Sequence, residues 1–125
     1  MKNWIDTVLT KGWAYGPGGT ALQDKSLVQV ISSGGPEMVC QRGGYNNFTL
    51  AELLRPFKQT ADLCGMRYHQ PFLTQGVGTL DDDAIKARAA RYHRWLQAMV
   101  NGDLPPDVNS MHVSQAEFLS TAVHL

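Results

Sequence analysis

The sequence predicts an α/β domain in which parallel strands alternate with helices. Patterns of helical and strand type follow one another in the order helix, strand, helix, strand, helix, which favours a parallel pair joined by a right-handed crossover. Residues 27–31 form a nearly continuous apolar run bounded by turn residues, as in a parallel strand covered on both faces. With 125 residues, 43% hydrophobic and 18% charged, the chain has the size and composition of one globular domain.

The chain opens on the end of an amphipathic helix. Trp4, Ile5, Val8 and Leu9 recur at helical spacing, and Gly12 is a natural stop signal. Residues 12–25 contain four glycines and a proline, which predicts an irregular connection before the first strand.

A second helix is predicted to begin at Thr49, because Thr49 and Glu52 have the spacing of a capping box. We expect Gly65 to end it, and Pro56 to bend it or restrict it to later residues. Its predicted apolar stripe is Leu50, Leu53, Leu54, Phe57, Ala61 and Leu63. Residues 68–73 are the next strand candidate, and Pro71 places that strand at a sheet edge or ends it early.

A long third helix follows Asp81-Asp82-Asp83, whose charges suit a helix N-terminus, and Asn101-Gly102 ends it. Its predicted buried stripe is Ile85, Ala89, Tyr92, Trp95, Leu96 and Met99. The domain is therefore expected to occupy residues 1–102. Residues 103–125 are a linker and C-terminal tail, in which residues 113–123 form a short helix or nothing stable.

Composition excludes several classes of function. A formal net charge of zero provides no basic field for nucleic acid, and no apolar run reaches the length of a membrane span or a secretory signal.

Cys40 and Cys64 have no metal-site spacing, and we expect reduced thiols of a cytoplasmic protein, although the sequence leaves a disulfide open. The histidines have no ligand spacing either, so no metal is predicted and all four are expected at the solvated surface: His69, His93, His112 and His124.

The best candidate site is the junction Ser32-Ser33-Gly34-Gly35 after the first strand, called here the glycine loop (residues 32–35). Ligands of open α/β sheets bind beyond the carboxyl ends of the strands. Two glycines there allow backbone amides to approach a ligand closely. The alternative is a tight turn without a ligand.

Three stretches carry a resemblance to a known family: Gly12-Trp13-Ala14-Tyr15-Gly16 with its following glycines, the glycine loop, and Gly43-Gly44-Tyr45-Asn46 followed by Leu53-Leu54-Arg55-Pro56-Phe57. Over residues 2–99 the chain resembles the flavodoxin-fold NAD(P)H:quinone oxidoreductases. Within them it is most similar to the ancillary oxidoreductases of glutathione-gated potassium-efflux antiporters. The resemblance implies the C-terminal half of a flavodoxin-like three-layer parallel sheet, beginning in the helix after the third strand.

The resemblance also implies roles for particular residues. Ser32 and Ser33 stand where the family usually has two threonines, and Gly34 and Gly35 match the family's glycines, whose backbone holds the pyrimidine side of the FMN ring. Here Pro36-Glu37 departs from the usual pattern.

Aromatic residues have implied roles as well. Tyr45 matches a Tyr or His that approaches the flavin carbonyl, where a phenol stabilises developing charge; the alternative is an ordinary loop tyrosine. Trp13 and Tyr15 match aromatic residues that wall the substrate pocket of the neighbouring subunit in dimers; the alternative is packing against the preceding helix.

The implied function is an FMN-dependent NAD(P)H:quinone oxidoreductase, a cytoplasmic homodimer that uses quinone and nicotinamide in one pocket. Because the family's FMN phosphate loop follows its first strand, we expect this chain alone to be truncated, to bind FMN weakly or not at all, and to be inactive. The alternative is a non-catalytic ancillary subunit that docks on a potassium-efflux antiporter at the inner face of the membrane. A third interpretation is a truncated gene product of marginal stability.

Overall fold

The computed structural model describes residues 1–103, in which three helices alternate with two lines of parallel strand. The elements are α1 (Lys2–Val8), β1 (Ser26–Leu27), β2 (Val30–Ser33), α2 (Leu50–Leu63), β3 (Arg67–Tyr68), β4 (Phe72–Gln75) and α3 (Asp82–Asn101). The predicted order and the parallel pairing are confirmed, since β1 pairs with β3 and β2 with β4, both in parallel. The predicted tail lies outside the described residues from position 104 onward.

Each of the two predicted strands is interrupted once, and the two interruptions lie opposite each other in the sheet. Leu27 lies opposite Tyr68 and Val30 opposite Phe72, so two residues of the first line face three of the second. The extra residue makes a bulge that ends in Pro71, which has no N–H to give to the ladder. The Tyr68 hydroxyl donates to Gln29 Oε1 across the break, at 2.8 Å. The expectation of one continuous strand over residues 27–31 was therefore wrong.

The first strand line is also less covered than its apolar sequence predicts. Val30 is 55% exposed, and the other residues of β2 alternate between exposed and half-buried. Among residues 1–103 this line pairs only with the line of β3 and β4, so one edge has no neighbouring strand. The prediction that both faces are covered is wrong for the described part of the chain.

The capping box of α2 is confirmed in both directions. Glu52 N–H donates to Thr49 Oγ1 at 3.1 Å, and Thr49 N–H donates to Glu52 Oε2 at 2.8 Å. The helix runs through Pro56 from Leu50, so the expected restriction to later residues was wrong. The buried residues of α2 are Leu54 and Ala61. Leu53 and Leu63, which belong to the predicted apolar stripe, are 46% and 61% exposed, so the buried face of the helix is narrower than predicted.

We expect Thr49→Ala to lower the free energy of unfolding by about 0.5–2 kcal/mol at pH 7, because it removes the cap of α2. Hydrogen bonds from the Thr49 backbone and side chain lower the pKa of Glu52. The contribution of Glu52 is thus complete above the ordinary glutamate pKa and is lost as the pH falls through the lowered value. Urea unfolding at pH 7 and pH 3 should show a smaller difference between variant and wild type at pH 3. Thr49→Ser, which keeps the hydroxyl, is the control; an unchanged Thr49→Ala protein would contradict the assignment.

The core lies between β4 and the second half of α3. Trp95 is 1% and Phe72 3% exposed, with the partly buried Val28, Tyr92, Leu96 and Met99 packed against them. Asp81 caps α3 by accepting from Ala84 N–H, and Gly102 ends it with φ +77°, as predicted. Ile85 and Ala89 are exposed, which corrects the predicted stripe: its buried members belong to the second half of the helix.

The polar predictions have mixed outcomes. His93 is exposed as expected. His69 is buried, with its Nε2 2.9 Å from Ser26 Oγ, so the expectation that it lies at the surface was wrong. His112 and His124 lie outside the described residues. Both cysteines are free, as expected, and burial raises the pKa of the Cys64 thiol. Residues 1–103 contain no group of side chains that would hold a metal ion. Of the helices described, none has the length and apolar character needed to cross a membrane.

Candidate functional site

The carboxyl ends of β2 and β4 lie side by side and position the glycine loop. Ser32 is in register with Thr74, and Ser33 with Gln75. The chain then leaves the sheet through Gly34 and Gly35 on one strand and through Gly76 on the other. The sequence-predicted junction therefore lies at the edge of the sheet where open α/β folds bind ligands.

Hydrogen bonds tie the two strand ends together. The carbonyl of Gly35 accepts from Gly76 N–H at 3.0 Å and from Ser33 Oγ at 3.0 Å. The carbonyl of Gly76 in turn accepts from Thr79 Oγ1 at 2.8 Å. Gly76 is buried with φ +66°, a left-handed conformation that favours glycine. The loop after β4 thus supports the loop after β2.

The backbone of Gly34 and Gly35 is available to a ligand. Within residues 1–103, no hydrogen bond uses the amide of either glycine. Gly34 is exposed, and a side chain at this position would meet no atom within 4 Å. Two neighbouring amide donors that no hydrogen bond uses match the acceptor edge of a flat heterocycle, such as the pyrimidine side of an FMN ring.

Tyr45 lies on a folded loop that touches the glycine loop. The Val39 side chain would lie 3.3 Å from a Cβ at Gly35, so Val39 packs over Gly35. Asn46 N–H donates to the Val39 carbonyl at 3.0 Å. Tyr45 itself is 93% exposed. The structure therefore places Tyr45 next to the site, with its ring in solvent rather than against the glycines.

Trp13 and Tyr15 lie on the long connection between α1 and β1. Ala14 between them is fully buried, and Trp13 is 46% exposed. The Asp24 amide ties this connection to the Gly65 carbonyl, just before the amino end of β3. Among residues 1–103, no hydrogen bond or ring contact joins Trp13 or Tyr15 to the glycine loop.

Sequence reasoning missed Gly76 and Thr79, which support the glycine loop from β4. A signal was present: a glycine follows the second strand just as glycines follow the first. The criterion that located residues 32–35, a glycine at the carboxyl end of a parallel strand, would have found Gly76 as well.

Comparison with known proteins identifies relatives over most of the described residues. The family model described as a flavodoxin-like fold matches residues 1–96. The chain is 42% identical over 108 residues to the uncharacterized NAD(P)H oxidoreductase YdeQ of Bacillus subtilis, a match that covers 86% of this chain and 53% of YdeQ.

Two further relatives carry names that concern partners and cofactor. The glutathione-regulated potassium-efflux system ancillary protein KefG of Yersinia enterocolitica is 37% identical, over 78% of this chain and 53% of KefG. The crystal structure of general stress protein 14 of Treponema denticola in complex with FMN is 36% identical with a TM-score of 0.70, over 78% of this chain and 56% of that one. The chain spans about half the length of the relatives it matches.

Proposed function

This chain belongs to the flavodoxin-like family, and on that premise we propose that it forms the flavin-ring side of an FMN-dependent NAD(P)H:quinone oxidoreductase. The observation that carries the proposal is the pair of amides at Gly34 and Gly35, which no hydrogen bond uses within residues 1–103 and which follow the carboxyl end of β2. Support comes from the FMN complex of the Treponema relative and the NAD(P)H oxidoreductase name of YdeQ.

The residues of the glycine loop would hold FMN by its ring edge. The amides of Gly34 and Gly35 donate to ring acceptors, and Ser32, whose side chain is exposed at the end of β2, contributes a hydroxyl. When bound, FMN supplies the electron-transfer chemistry that no amino-acid side chain offers. The protein provides orientation and electrostatics.

Tyr45 is the proposed catalytic residue. Its phenol makes no hydrogen bond within residues 1–103 and is almost fully exposed, so its O–H is available to a ring carbonyl. A donor at that atom stabilises negative charge that develops on the ring.

Trp13 and Tyr15 would wall the slot for quinone and nicotinamide in a homodimer. Flat aromatic faces suit planar substrates. Since no hydrogen bond or ring contact joins these residues to the glycine loop within the described part of one copy, the proposed pocket combines the glycine loop of one copy with the aromatic residues of another.

The affinity of this chain by itself for FMN is proposed to be weak. The match covers 53% of YdeQ and 56% of the FMN-bound Treponema protein, and we propose that the matched residues supply only part of the cofactor contacts of a whole relative. Each charge-assisted hydrogen bond to the FMN phosphate that this chain does not make weakens the binding free energy by about 1.5–3 kcal/mol. We therefore expect a site that recognises the ring and releases it readily.

Visible absorption after FMN incubation and desalting, followed by a fluorescence titration, tests both parts of this proposal. We expect a colourless desalted protein that nevertheless quenches FMN fluorescence saturably. Stoichiometric retained flavin would contradict the weak affinity, whereas absence of saturable quenching would contradict a flavin site in this chain.

The variant Gly34→Ala, measured in the same FMN titration, tests whether FMN binds at the glycine loop. A methyl group at Gly34 meets nothing in the protein, so the circular dichroism spectrum should not change. A ring bound at the neighbouring amides would be obstructed by this methyl, and we expect the dissociation constant for FMN to rise about tenfold, equivalent to ~1.4 kcal/mol. An unaltered dissociation constant would place the flavin elsewhere.

A second candidate function is docking on a potassium-efflux antiporter, with or without catalysis. The observation that favours it is the 37% identity to KefG over 78% of this chain. Such a protein would lie at the inner face of the membrane through its partner. Potassium efflux from vesicles that contain the antiporter, measured with this chain and with Tyr45→Phe, separates the two functions: a docking protein activates efflux in both forms, and a flavin-dependent effect is lost in the variant.

A further inference from the structure

The hydroxyl of Ser33 is already engaged. It donates to the carbonyl of Gly35, two residues further along the chain, at 3.0 Å, and the same carbonyl accepts from Gly76 N–H at 3.0 Å. A serine hydroxyl can bond the backbone of a neighbouring residue, and here it closes a local turn as the donor to a carbonyl. The Gly35 carbonyl is thus held from two directions.

The ring closed by the bond from Ser33 contains both peptide units that carry the unused amides. The peptides between Ser33 and Gly34 and between Gly34 and Gly35 lie inside it, so fixing the Gly35 oxygen limits how either N–H can rotate. Two consecutive glycines would otherwise have the greatest backbone freedom of any residues. Because Pro36 follows, the peptide that carries the Gly35 carbonyl has no N–H, and its oxygen is the group by which it is held.

We propose that Ser33 is a positioning residue, which orients the amides of Gly34 and Gly35 toward the ligand through the Gly35 carbonyl and does not itself donate to the ligand. The identity of the ligand rests on the proposed FMN function, but the hydrogen-bond geometry does not. The two serines therefore have different roles. Ser32, which is exposed near the end of β2, has a hydroxyl that is available to the ligand, whereas Ser33 acts through the Gly35 carbonyl.

Gly76 extends this arrangement to the second strand. Its amide is the other donor to Gly35, and its own carbonyl is held by the Thr79 hydroxyl at 2.8 Å. Because the Gly76 amide donates to the Gly35 carbonyl, its hydrogen exchange depends on how that carbonyl is held. Removal of the Ser33 hydroxyl is therefore expected to change the exchange rate of the Gly76 amide even when no ligand is bound.

The test compares Ser33→Ala and Ser33→Thr in an FMN fluorescence titration. We expect Ser33→Ala to raise the dissociation constant about five- to tenfold, the factor of one neutral hydrogen bond, and Ser33→Thr to restore it, because threonine carries the same hydroxyl. Thr60→Ala is the matched control: it also removes a hydroxyl that donates to a backbone carbonyl, that of Pro56 in α2, and should leave FMN binding unchanged. A purely structural role for Ser33 would lower the thermal midpoint without altering FMN affinity, and that result would overturn the proposal.

Amide hydrogen exchange of Gly76, measured by NMR without flavin, keeps the test independent of the proposed function. We expect faster exchange at Gly76 in Ser33→Ala than in wild type, and no change in Ser33→Thr or Thr60→Ala. If wild type does not bind FMN but Gly76 exchange responds in this way, the positioning role stands and the proposed function fails. Unchanged Gly76 exchange in Ser33→Ala overturns the positioning role whatever the flavin result.

Discussion

Replacement of Trp95 by alanine is expected to lower the free energy of unfolding by about 3–5 kcal/mol. Trp95 is the most deeply buried large side chain of the described residues, at 1% exposure. Its ring centroid lies 5.5 Å from that of Phe72 and 6.0 Å from that of Tyr92. The variant loses the transfer free energy of the indole, leaves a cavity between α3 and β4, and removes aromatic pairs that contribute about 0.5–1.5 kcal/mol each.

A domain of this size has a total stability of about 5–15 kcal/mol, so the loss amounts to a large share of it. Urea unfolding followed by far-UV circular dichroism measures the change without relying on tryptophan fluorescence. Trp4→Ala is the matched control, because Trp4 is 60% exposed on α1 and surface substitutions remain within about 0.5 kcal/mol. Equal losses in the two variants would contradict the placement of the core at Trp95.

The helices were predictable from sequence because their signals are local. The capping box at Thr49 and Glu52 and the left-handed stop at Gly102 each depend on residues within one helical turn. Which residues of a helix are buried depends on what packs against it. Ile85 has the spacing of a buried residue and is 51% exposed, because α3 meets β4 only through its second half.

The interruption of the two strands could not be predicted from residues that are close together in the sequence. It arises from the register between residues about forty positions apart, where Leu27 faces Tyr68 but Val30 faces Phe72. Pro71 indicated an irregularity, but neither a bulge nor the burial of His69. The contact of His69 with Ser26, at 2.9 Å on the other strand line, joins residues that are far apart in the sequence.

The position of residues 32–35 at the carboxyl end of a parallel strand was predictable from the sequence, but the hydrogen bonds within this loop were not. Glycines after a parallel strand located residues 32–35, since strand ends of this kind meet at one edge of the sheet. The roles of Ser32, Tyr45, Trp13 and Tyr15 toward a ligand stay predictions. The bond from Ser33 to Gly35 and its support from Gly76 depend on loop conformations that the residue types alone do not determine.

Gly44→Ala is expected to disrupt the loop that carries Tyr45 and to destabilise the protein by about 1–3 kcal/mol or more, as overpacking does. A Cβ at this position would collide with the backbone carbonyls of Met38 and Val39. Backbone atoms move only with the loop as a whole, unlike the end of a flexible side chain. The Val39 carbonyl also accepts from Asn46 N–H, so a shift there displaces the residue next to Tyr45.

The same shift reaches the glycine loop, because the Val39 side chain packs over Gly35. We therefore expect Gly44→Ala to change the NMR amide signals of Gly34 and Gly35 and to weaken FMN binding, in addition to lowering the urea midpoint. Gly78→Ala is the matched control: its φ is not in the left-handed region and its Cβ would meet nothing within 4 Å, so stability should stay within about 0.5 kcal/mol of wild type. If Gly44→Ala were as stable as Gly78→Ala and left the amide signals of residues 34 and 35 unchanged, the Tyr45 loop would not be packed on the glycine loop, and the proposed role of Tyr45 toward FMN would lose its structural basis.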